Sequence, residues 1–517
     1  MLRKIALATL AATSILAGVI PASLPAAASS AGESGRWTKL GRTTTNFAQP
    51  GMARRPADGL HALWAKKSSA DASLTDLVHT RITGNGEIAS TDPVVSDWNF
   101  IWSVPDLAVS PVDQGCPACD SYLVGIWGGI QSTQVGETHT NISAATWHPV
   151  GTSSMWNLQD GDVSEGPGGA ASSIGVSQPG DTALFTWAGS GGTYVHGGFD
   201  PSTPDHNFQT PGGGCCSYSP DLASTMTNAS TGGQTWVAWY SSADGNKGVW
   251  TQQVDPSTGA PFGSATRMPG STTRFNGEEQ SVQEITRTPI AADQSGMSQN
   301  FYVAYTGGYP SPTKMIVWRI DAVAVGGPAA DSVVVGRGTS SAPVHTPAIA
   351  ADDQGHAWVM WSEGGTGGPR IFARRSNVGG TRWGATVMVD LPRDTSGCQT
   401  ITEITPETMG GNVDVIATIS EGCTSQYALW HTEIEPGLSL SANPSKFSGK
   451  EKVTFKVTDA GEPVQGAKVT VDGKSATTDA DGIAHIVLGP YARDQKLVAK
   501  ATHNGYVAGR VTLRAQN

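Results

Sequence analysis

The sequence predicts an all-β protein: a seven-bladed β-propeller, with six or eight blades as the alternatives, followed by a small β-sandwich. Glycine contributes 64 and proline 31 of the 517 residues, so turns are frequent. The 16 Trp, 10 Tyr and 11 Phe are too many aromatic residues for a disordered chain. A strand–turn–strand unit also recurs at intervals of roughly 50–70 residues, which is typical of a propeller.

The N-terminus predicts export. Residues 1–28 combine the basic start MLRK, a short apolar run and a stretch of small residues, which together are typical of a secretory signal peptide. The apolar run is too short to cross a membrane comfortably. We therefore expect a secreted, extracellular protein, without membrane insertion and monomeric.

The propeller prediction depends on an internal repeat. The run HTPAIAADDQGHAWVMW from His345 matches RTPIAADQSGMSQNFYVAY from Arg287. Both runs contain a strand, a polar turn and a second apolar strand that ends near an aromatic residue. Related units begin near Arg55, Pro105, Ser172, Pro220 and Thr400.

The chain ends predict how the ring closes. The segment after Arg36, WTKLGRTT, is similar to the outer-strand segment WGATVMV after Arg382. The seventh unit lacks an outer strand of its own, so we expect residues 37–45 to supply it and remove a sheet edge. The predicted propeller therefore spans residues 36–436, preceded by the signal peptide.

Residues 437–517 form the predicted second domain. They contain 11 of the 33 Lys and Arg residues and only 7 acidic residues, and polar and apolar residues alternate along them. The run GEPVQGAKVTVDGKSATTDADGIAHIVL resembles bacterial immunoglobulin-like and carboxypeptidase-regulatory-like domains. That resemblance implies an immunoglobulin-like β-sandwich acting as a spacer or attachment unit.

A second resemblance concerns residues 375–383, RSNVGGTRW. This run is similar to the Asp-box turn of the sialidase superfamily, with Ser376, Gly380 and Trp383 at matching positions. Val378 stands at the position of the aspartate and Arg382 at that of the threonine. The box is a structural turn, so the resemblance implies the fold class of a sialidase-like propeller.

Six cysteines in an exported protein are expected to pair. Cys398 and Cys423 lie symmetrically about a Gly-Gly turn, and residues of constant index sum face each other in a hairpin. We therefore predict that they form a disulfide. A local Cys116–Cys119 bridge and a vicinal Cys215–Cys216 bridge are also predicted, with cross-pairing among these four residues as the alternative.

Charge is distributed unevenly. The net charge of −11 argues against a nucleic-acid partner, which needs clustered Lys and Arg. No Lys or Arg lies between Arg81 and Lys247, a stretch with fifteen acidic residues. This acidic arc is either a solubilising surface or a site for a cation or basic partner. Asp160, Asp162 and Glu165 are the candidate ligands for Ca²⁺, which prefers oxygen ligands.

Candidate site residues come from aligning the repeats. The residue two before the proline of each inner strand is polar, which predicts a ring of ligand-binding side chains at one mouth of the pore. Its predicted members are Arg54, Ser103, Tyr218, Arg287 and His345. The segments Arg54-Arg55-Pro56 and Tyr218-Ser219 also resemble the carboxylate-binding and nucleophile segments of sialidases, which implies Tyr218 as a catalytic candidate.

The leading functional hypothesis is an exported propeller that recognises a glycan, such as a polysaccharide or a cell-surface glycan, at the pore mouth. One alternative is a sialidase-like glycoside hydrolase or polysaccharide lyase that uses carboxylates for acid–base catalysis. The candidate carboxylates are Glu165, Asp221, Glu279 and Glu284. The other alternative is a structural protein that binds a partner through the acidic arc. No cofactor is implied, apart from the candidate Ca²⁺.

Overall fold

The structure is a computed structural model, and it describes most of the chain from residue 36 onwards. The described ranges are 36–45, 48–55, 59–101, 104–110, 121–132, 138–150, 153–158, 162–164, 174–177, 182–189, 192–200, 202–208, 217–225, 233–243, 245–271, 287–296, 298–307, 313–322, 329–364, 368–392 and 398–516. The fold in these ranges is all-β, without an α-helix. None of them contains a helix that is long and apolar enough to cross a membrane.

The described strands before residue 437 form seven antiparallel sheets, numbered here in chain order. The first strand, β1 (Thr38–Arg42), belongs to the last sheet. Sheet 1 contains β2 (Gly51–Arg55), β3 (Gly59–Lys67), β4 (Thr75–Ile82) and β5 (Ile88–Trp98). Sheet 2 contains β6 (Phe100–Ile101), β7 (Asp106–Val109), β8 (Leu123–Ser132), β9 (Thr138–Val150), β10 (Ser153–Asn157) and β11 (Asp162–Ser164). Sheet 3 contains β12 (Ile174–Ser177), β13 (Leu184–Gly189), β14 (Gly192–Gly197) and β15 (His206–Phe208).

The remaining four sheets each have four strands. Sheet 4 contains β16 (Ser217–Ser224), β17 (Thr235–Ser241), β18 (Gly248–Val254) and β19 (Pro261–Arg267). Sheet 5 contains β20 (Ile290–Ala292), β21 (Asn300–Gly307), β22 (Lys314–Asp321) and β23 (Ala329–Arg337). Sheet 6 contains β24 (Val344–Ala351), β25 (Ala357–Glu363), β26 (Arg370–Arg375) and β27 (Val387–Asp390). Sheet 7 contains β28 (Ile401–Met409), β29 (Asn412–Ser420), β30 (Tyr427–Ile434) and β1.

The second strand of a sheet is its most apolar strand because neighbouring sheets cover both of its faces. β17 reads TWVAWYS and β21 reads NFYVAYTG, and every residue of both is buried. The outer strand β19, PFGSATR, is almost wholly exposed. The gradient from buried to exposed strands places the first strand of each sheet, here called the inner strand, towards the centre of the assembly.

Apolar clusters join each sheet to the next around a closed ring. One cluster connects sheets 1, 2 and 3, and others connect sheets 3 and 4, 4 and 5, 5 and 6, and 6 and 7. The ring closes where Ile416 and Leu429 of sheet 7 pack with Leu60 and Trp64 of sheet 1. This cyclic packing is the arrangement of a β-propeller, and it confirms the predicted all-β fold class.

The two ends of the ring meet in sheet 7. β1 pairs antiparallel with β30, with Thr38 opposite His431 and Lys39 opposite Trp430. Lys39 and Arg42 both form ion pairs with Glu421. A strand from the start of the described chain therefore completes a sheet built from residues more than 350 positions later.

The predicted disulfide is present. Cys398 and Cys423 are bonded, with their Cα atoms 4.9 Å apart. They extend the β28–β29 ladder, in which Met409 faces Asn412 across the turn. The index-sum prediction is therefore confirmed. Cys116, Cys119, Cys215 and Cys216 lie outside the described residues, so their pairing stays a prediction.

The nine strands after residue 437 form two further sheets. One contains β31 (Ser439–Asn443), β33 (Glu451–Asp459), β34 (Glu462–Pro463) and β37 (Ile483–Leu488). The other contains β32 (Lys446–Ser448), β35 (Lys468–Val471), β36 (Lys474–Thr477), β38 (Lys496–Thr502) and β39 (Gly509–Gln516). Alternate residues of β33 are buried, and its Phe455 lies in an apolar core shared by both sheets.

The Asp-box-like turn forms part of the contact between the ring and these two sheets. Ser376 bridges to Trp383, and Gly380 has a φ of 70°, which favours glycine. The Val378 N–H donates to Glu462 Oε1 at 3.1 Å. Beside this turn, Arg375 and Asp459 form a buried ion pair. The residues that resemble an Asp-box therefore help to hold the C-terminal part against sheet 6.

Candidate functional site

The inner strands enclose a cavity of about 500 Å³ at the centre of the ring. Its described lining comes from β2, β7, β16, β20, β24 and β28 or from residues next to them. Ligand pockets typically measure about 300–1,000 Å³, so this cavity is of ligand size. Because six of the seven sheets contribute one strand each, the described lining is held by strands from most of the ring rather than by one loop.

The lining divides into two polar rims and an aliphatic middle. We define the N-terminal rim as the end where the inner strands begin, and the C-terminal rim as the end where they finish. The N-terminal rim contains Gln49, Asp106, Asp221 and Arg287. The C-terminal rim contains Arg54, Asp353, Glu407 and Thr408. Between the rims the lining includes the aliphatic residues Leu107, Ala108, Ala223, Ala291 and Ile349.

Arg287 links three sheets at the N-terminal rim. Its backbone N–H donates to Gln49 Oε1 at 2.8 Å, and its Nη2 donates to the Pro50 carbonyl at 2.9 Å. Its Nη1 forms an ion pair with Asp106 of β7. The side chain of Arg287 is only 4% exposed. The guanidinium therefore joins sheet 5 to the beginnings of sheets 1 and 2.

Burial lowers the pKa of Arg287 to about 9, and the nearby carboxylate of Glu403 opposes this shift. The guanidinium still carries its charge at neutral pH, because this value lies above 7. A buried charge of this kind needs its partners. Arg287, predicted as a ligand contact at the mouth, is thus engaged with protein groups in the structure.

Tyr218 and His345 occupy equivalent positions before their inner strands bend. Ser219 and Thr346, the next residues, have φ values of 54° and 46° at register shifts in the ladders of β16 and β24. Such bulges redirect side chains. Tyr218 packs against the core between sheets 4 and 5. His345 is partly buried, and this burial lowers its pKa. Neither residue is among those that line the cavity.

Arg54 lines the cavity but does not lie beside Arg287 as predicted, because the proline that precedes the first inner strand is Pro50 and not Pro56. The inner strand β2 starts after Pro50 rather than at Pro56, so Arg54 lies near its C-terminal end. Arg287 contacts Pro50, four residues earlier, and four residues of a strand span roughly 13 Å. Arg54 and Arg287 therefore occupy opposite rims. Ser103 lies outside the described residues.

At the C-terminal rim, Arg54 forms an ion pair with Oδ2 of Asp414 on β29. Asp414 Oδ1 lies 2.8 Å from Nε2 of His431 on β30. Arg54, Asp414 and His431 thus connect sheet 1 to sheet 7 behind the cavity wall. Asp414 is buried, with 8% of its side chain exposed.

Glu407, at the C-terminal rim, has a strongly raised pKa. Desolvation raises its pKa to about 8, against the opposing effects of the Arg54 charge and of a hydrogen bond from the Arg54 backbone. The nearby charge of Asp414 also raises the pKa. The Glu407 carboxyl therefore stays largely protonated at neutral pH, although it lines the cavity.

Two further polar groups belong to the lining. Asp353 is exposed at the C-terminal rim, and its Oδ1 accepts a hydrogen bond from the Gly410 N–H at 3.3 Å. Thr405 is 6% exposed and lines the cavity, but its Oγ1 has no hydrogen-bond partner within the described ranges. An unsatisfied buried hydroxyl is costly.

The catalytic candidates from the sequence are only partly within the described residues. Asp221 lines the N-terminal rim, and its Oδ1 accepts a hydrogen bond from the Leu222 N–H at 2.9 Å. Glu165, Glu279 and Glu284 lie outside the described residues, so their roles stay predictions.

Most of the candidate Ca²⁺ ligands also lie outside the described residues. Asp160 and Glu165 lie outside the described residues, and for Asp162 only the backbone, in β11, is described. In the part of the chain that is described, no three His, Cys, Asp or Glu side chains are grouped to hold a metal ion. The predicted calcium site remains a prediction.

Sequence reasoning missed the acidic groups Asp106, Glu403, Glu407 and Asp353. A signal for Asp106 existed, because Pro105-Asp106 and Pro220-Asp221 occupy the same place in two repeats. Glu403 occupies the equivalent place in sheet 7, directly after a register shift in β28. Thr402 precedes Glu403, where the equivalent positions of the other two repeats carry proline, so the position was not recognisable in the sequence.

Comparisons with known proteins find structural likeness only. No family model matches the chain, and no curated protein sequence matches it either. Among solved structures, a polysaccharide lyase has a TM-score of 0.38 at 8% identity, covering 75% of this chain and 90% of its own. A variant of Aleuria aurantia lectin, crystallised with α-methyl-L-fucoside, has a TM-score of 0.36 at 11% identity, covering 64% and 95%.

An α-L-arabinofuranosidase from Podospora anserina, crystallised with cellotriose, is also similar. Its TM-score is 0.30 at 10% identity, and the match covers 67% of this chain and 96% of the enzyme. The three proteins are respectively a lyase of polysaccharides, a lectin and a glycosidase.

Proposed function

We propose that the chain is an exported seven-bladed β-propeller with a C-terminal immunoglobulin-like β-sandwich, and that its central cavity binds a glycan. Each of the seven sheets is one blade in this proposal, and β1 closes the last blade. The Cys398–Cys423 disulfide and the predicted signal peptide support an extracellular location.

The observation that carries the proposal is the make-up of the cavity. A sugar presents hydroxyl groups that donate and accept hydrogen bonds, together with apolar C–H faces. The two rims supply carboxylate, amide, hydroxyl and guanidinium groups, and the middle supplies aliphatic side chains. A few polar groups placed around an apolar interior are typical of a small-molecule site.

The test is retention on a panel of immobilised polysaccharides, measured together with release of reducing sugar. Ala291→Phe places a large side chain in the cavity wall, and we expect it to abolish retention. Ala89→Phe is the matched control, because Ala89 is exposed on the outer strand β5. Equal retention by both variants, each with an unchanged melting temperature, would exclude the cavity as the binding site.

A glycoside hydrolase or lyase is the second candidate, and the Glu407 carboxyl is the observation that favours it. A general acid must be protonated at the working pH, and desolvation keeps Glu407 in that form at neutral pH. Asp353 lies at the same rim of the cavity and is the candidate for the second carboxylate.

The same panel separates binding from catalysis. If the chain is a hydrolase or lyase, wild-type protein releases sugar, and Glu407→Gln abolishes release by at least about 100-fold while retention persists. Glu87→Gln, which alters an exposed glutamate on a turn, is the control. Retention without release by the wild-type protein supports a lectin-like role and contradicts the enzyme reading.

A further inference from the structure

We propose that the outer face of one C-terminal sheet is a second binding site, for a polysaccharide that carries carboxylate groups. The sheet consists of β32, β39, β38, β35 and β36, in that order. This site is separate from the central cavity, so it does not depend on the function proposed there.

Alternate residues of these strands point away from the core. β38 reads KLVAKAT, and its second, fourth and sixth residues are buried in the core shared with the other sheet. Its remaining residues lie on the opposite side, which we call the basic face. Residues of the neighbouring strands join it, because directly opposed residues of paired strands share a side. The charged residues of the basic face are Lys446, Lys468, Lys496, Lys500, Arg510 and Arg514.

All six charges of the basic face are positive. The five strands contain no aspartate and no glutamate. Lys500 is half-buried, and the other five cations are exposed. Within the described ranges, none of the six takes part in an ion pair. The basic face therefore presents its charges to solvent and attracts anions.

The acidic residues nearest in sequence to the ends of these strands are held by other groups. Asp472 accepts a hydrogen bond from the Tyr491 hydroxyl at 2.7 Å. Asp494 forms an ion pair with the preceding arginine at 3.7 Å. Glu451 and Asp479 accept hydrogen bonds from backbone N–H groups. Each of these carboxylates thus has a partner that is not a cation of the basic face.

Five of the cations form two rows. Lys446, Arg514 and Lys496 lie side by side on three neighbouring strands. Arg510 and Lys500 lie opposite each other, four residues further along the same strands. Adjacent strands are about 4.8 Å apart, and four residues of a strand span roughly 13 Å. A small anion contacts only one row, whereas a polymer with repeated charges contacts both.

The neutral residues of the basic face favour a polysaccharide over other polyanions. Six of them carry hydroxyl groups: Ser448, Thr470, Ser475, Thr477, Thr502 and Thr512. Such groups donate hydrogen bonds to sugar hydroxyls and accept them, and arginine binds carboxylates through two parallel hydrogen bonds. No residue of these five strands that points outwards is aromatic. The face therefore lacks the stacking platforms of a single-stranded nucleic-acid site and the aromatic anchors of a membrane surface.

The experiment is calorimetric titration of the full chain with polygalacturonate oligomers at neutral pH and low salt. Fully methyl-esterified oligomers of the same length are the matched ligand, because they keep the sugar backbone and lose the charges. We expect the acidic oligomer to bind at least about tenfold more tightly than the ester. This binding should be lost in about 0.5 M NaCl, because salt screens exposed charges.

Two double variants locate the site. Lys496→Gln with Lys500→Gln removes two cations of β38 and is expected to weaken binding of the acidic oligomer about five- to tenfold. Lys452→Gln with Lys456→Gln is the control, because it removes two exposed lysines at the same spacing from β33 in the other sheet. We expect the control to change the affinity less than about twofold. Equal weakening by both variants would indicate attraction to the overall charge and overturn the proposal.

The remaining outcomes separate this site from the cavity and from other partners. No binding of the acidic oligomer, or equal binding of the ester, overturns the proposal, as does tighter binding of a DNA oligomer with the same number of charges. Ala291→Phe should leave the binding of polygalacturonate unchanged, so only the neutral polysaccharides of the panel report on the cavity. Loss of polygalacturonate binding in Ala291→Phe would assign it to the cavity and overturn this second site alone.

Discussion

Glu407 gives the stability of the ring a defined dependence on pH. Its pKa is about 8 in the folded protein, against an ordinary value of 4.5 for a glutamate in water. Between these two values the folded state holds a proton that the unfolded state has released, so stability falls as pH rises. The difference corresponds to about 3–5 kcal/mol. This cost is absent below pH 4.5 and complete above pH 8.

The perturbation is Glu407→Gln, which replaces the ionisable group by a neutral amide of similar shape. We expect the variant to match the wild type near pH 4.5 and to exceed its stability by about 3–5 kcal/mol above pH 8. Urea unfolding, followed by tryptophan fluorescence at a series of pH values, measures this difference. Glu87→Gln is the exposed control, with an expected difference near zero at every pH. A Glu407→Gln difference that does not change with pH would refute the reasoning.

Two other contacts allow direct stability tests. Arg287→Met leaves the buried Asp106 carboxylate without its ion-pair partner, so we expect a loss of about 3–5 kcal/mol in urea unfolding; adding Asp106→Leu should recover most of it. A double variant that shows no recovery would mean that the pair is not coupled. Replacing Cys398 and Cys423 by serine opens a loop with a sequence separation of 25, which should cost about 3 kcal/mol and match the effect of reducing the wild type. A loss below about 1 kcal/mol would contradict this estimate.

The architecture was predictable because repetition and hairpin symmetry are properties of the sequence itself. The repeats identified a propeller, and a constant index sum identified the Cys398–Cys423 bond. Both signals depend on local strand pairing, which a sequence pattern records directly. The segment predicted to complete the last sheet, residues 37–45, includes β1, which pairs with β30.

The candidate site was less predictable because it depends on register. Proline marks the inner strand in several repeats, but Pro56 in the first unit lies after the strand that Pro50 precedes. That difference moved Arg54 from one rim to the other. Glu407 could not have been identified at all, because its raised pKa arises from burial and from charges on other strands.

The pairing of β1 with β30 also has a consequence for how the chain reaches its native state. The two strands are separated by nearly the whole ring, so their contact is among the most non-local in the fold. Contacts of this kind form late and slow the folding of β proteins. The ring can close only after residue 434 has been synthesised. Until β1 pairs with it, β30 presents an unpaired edge, and this stage of folding is the one in which the protein is most exposed to aggregation.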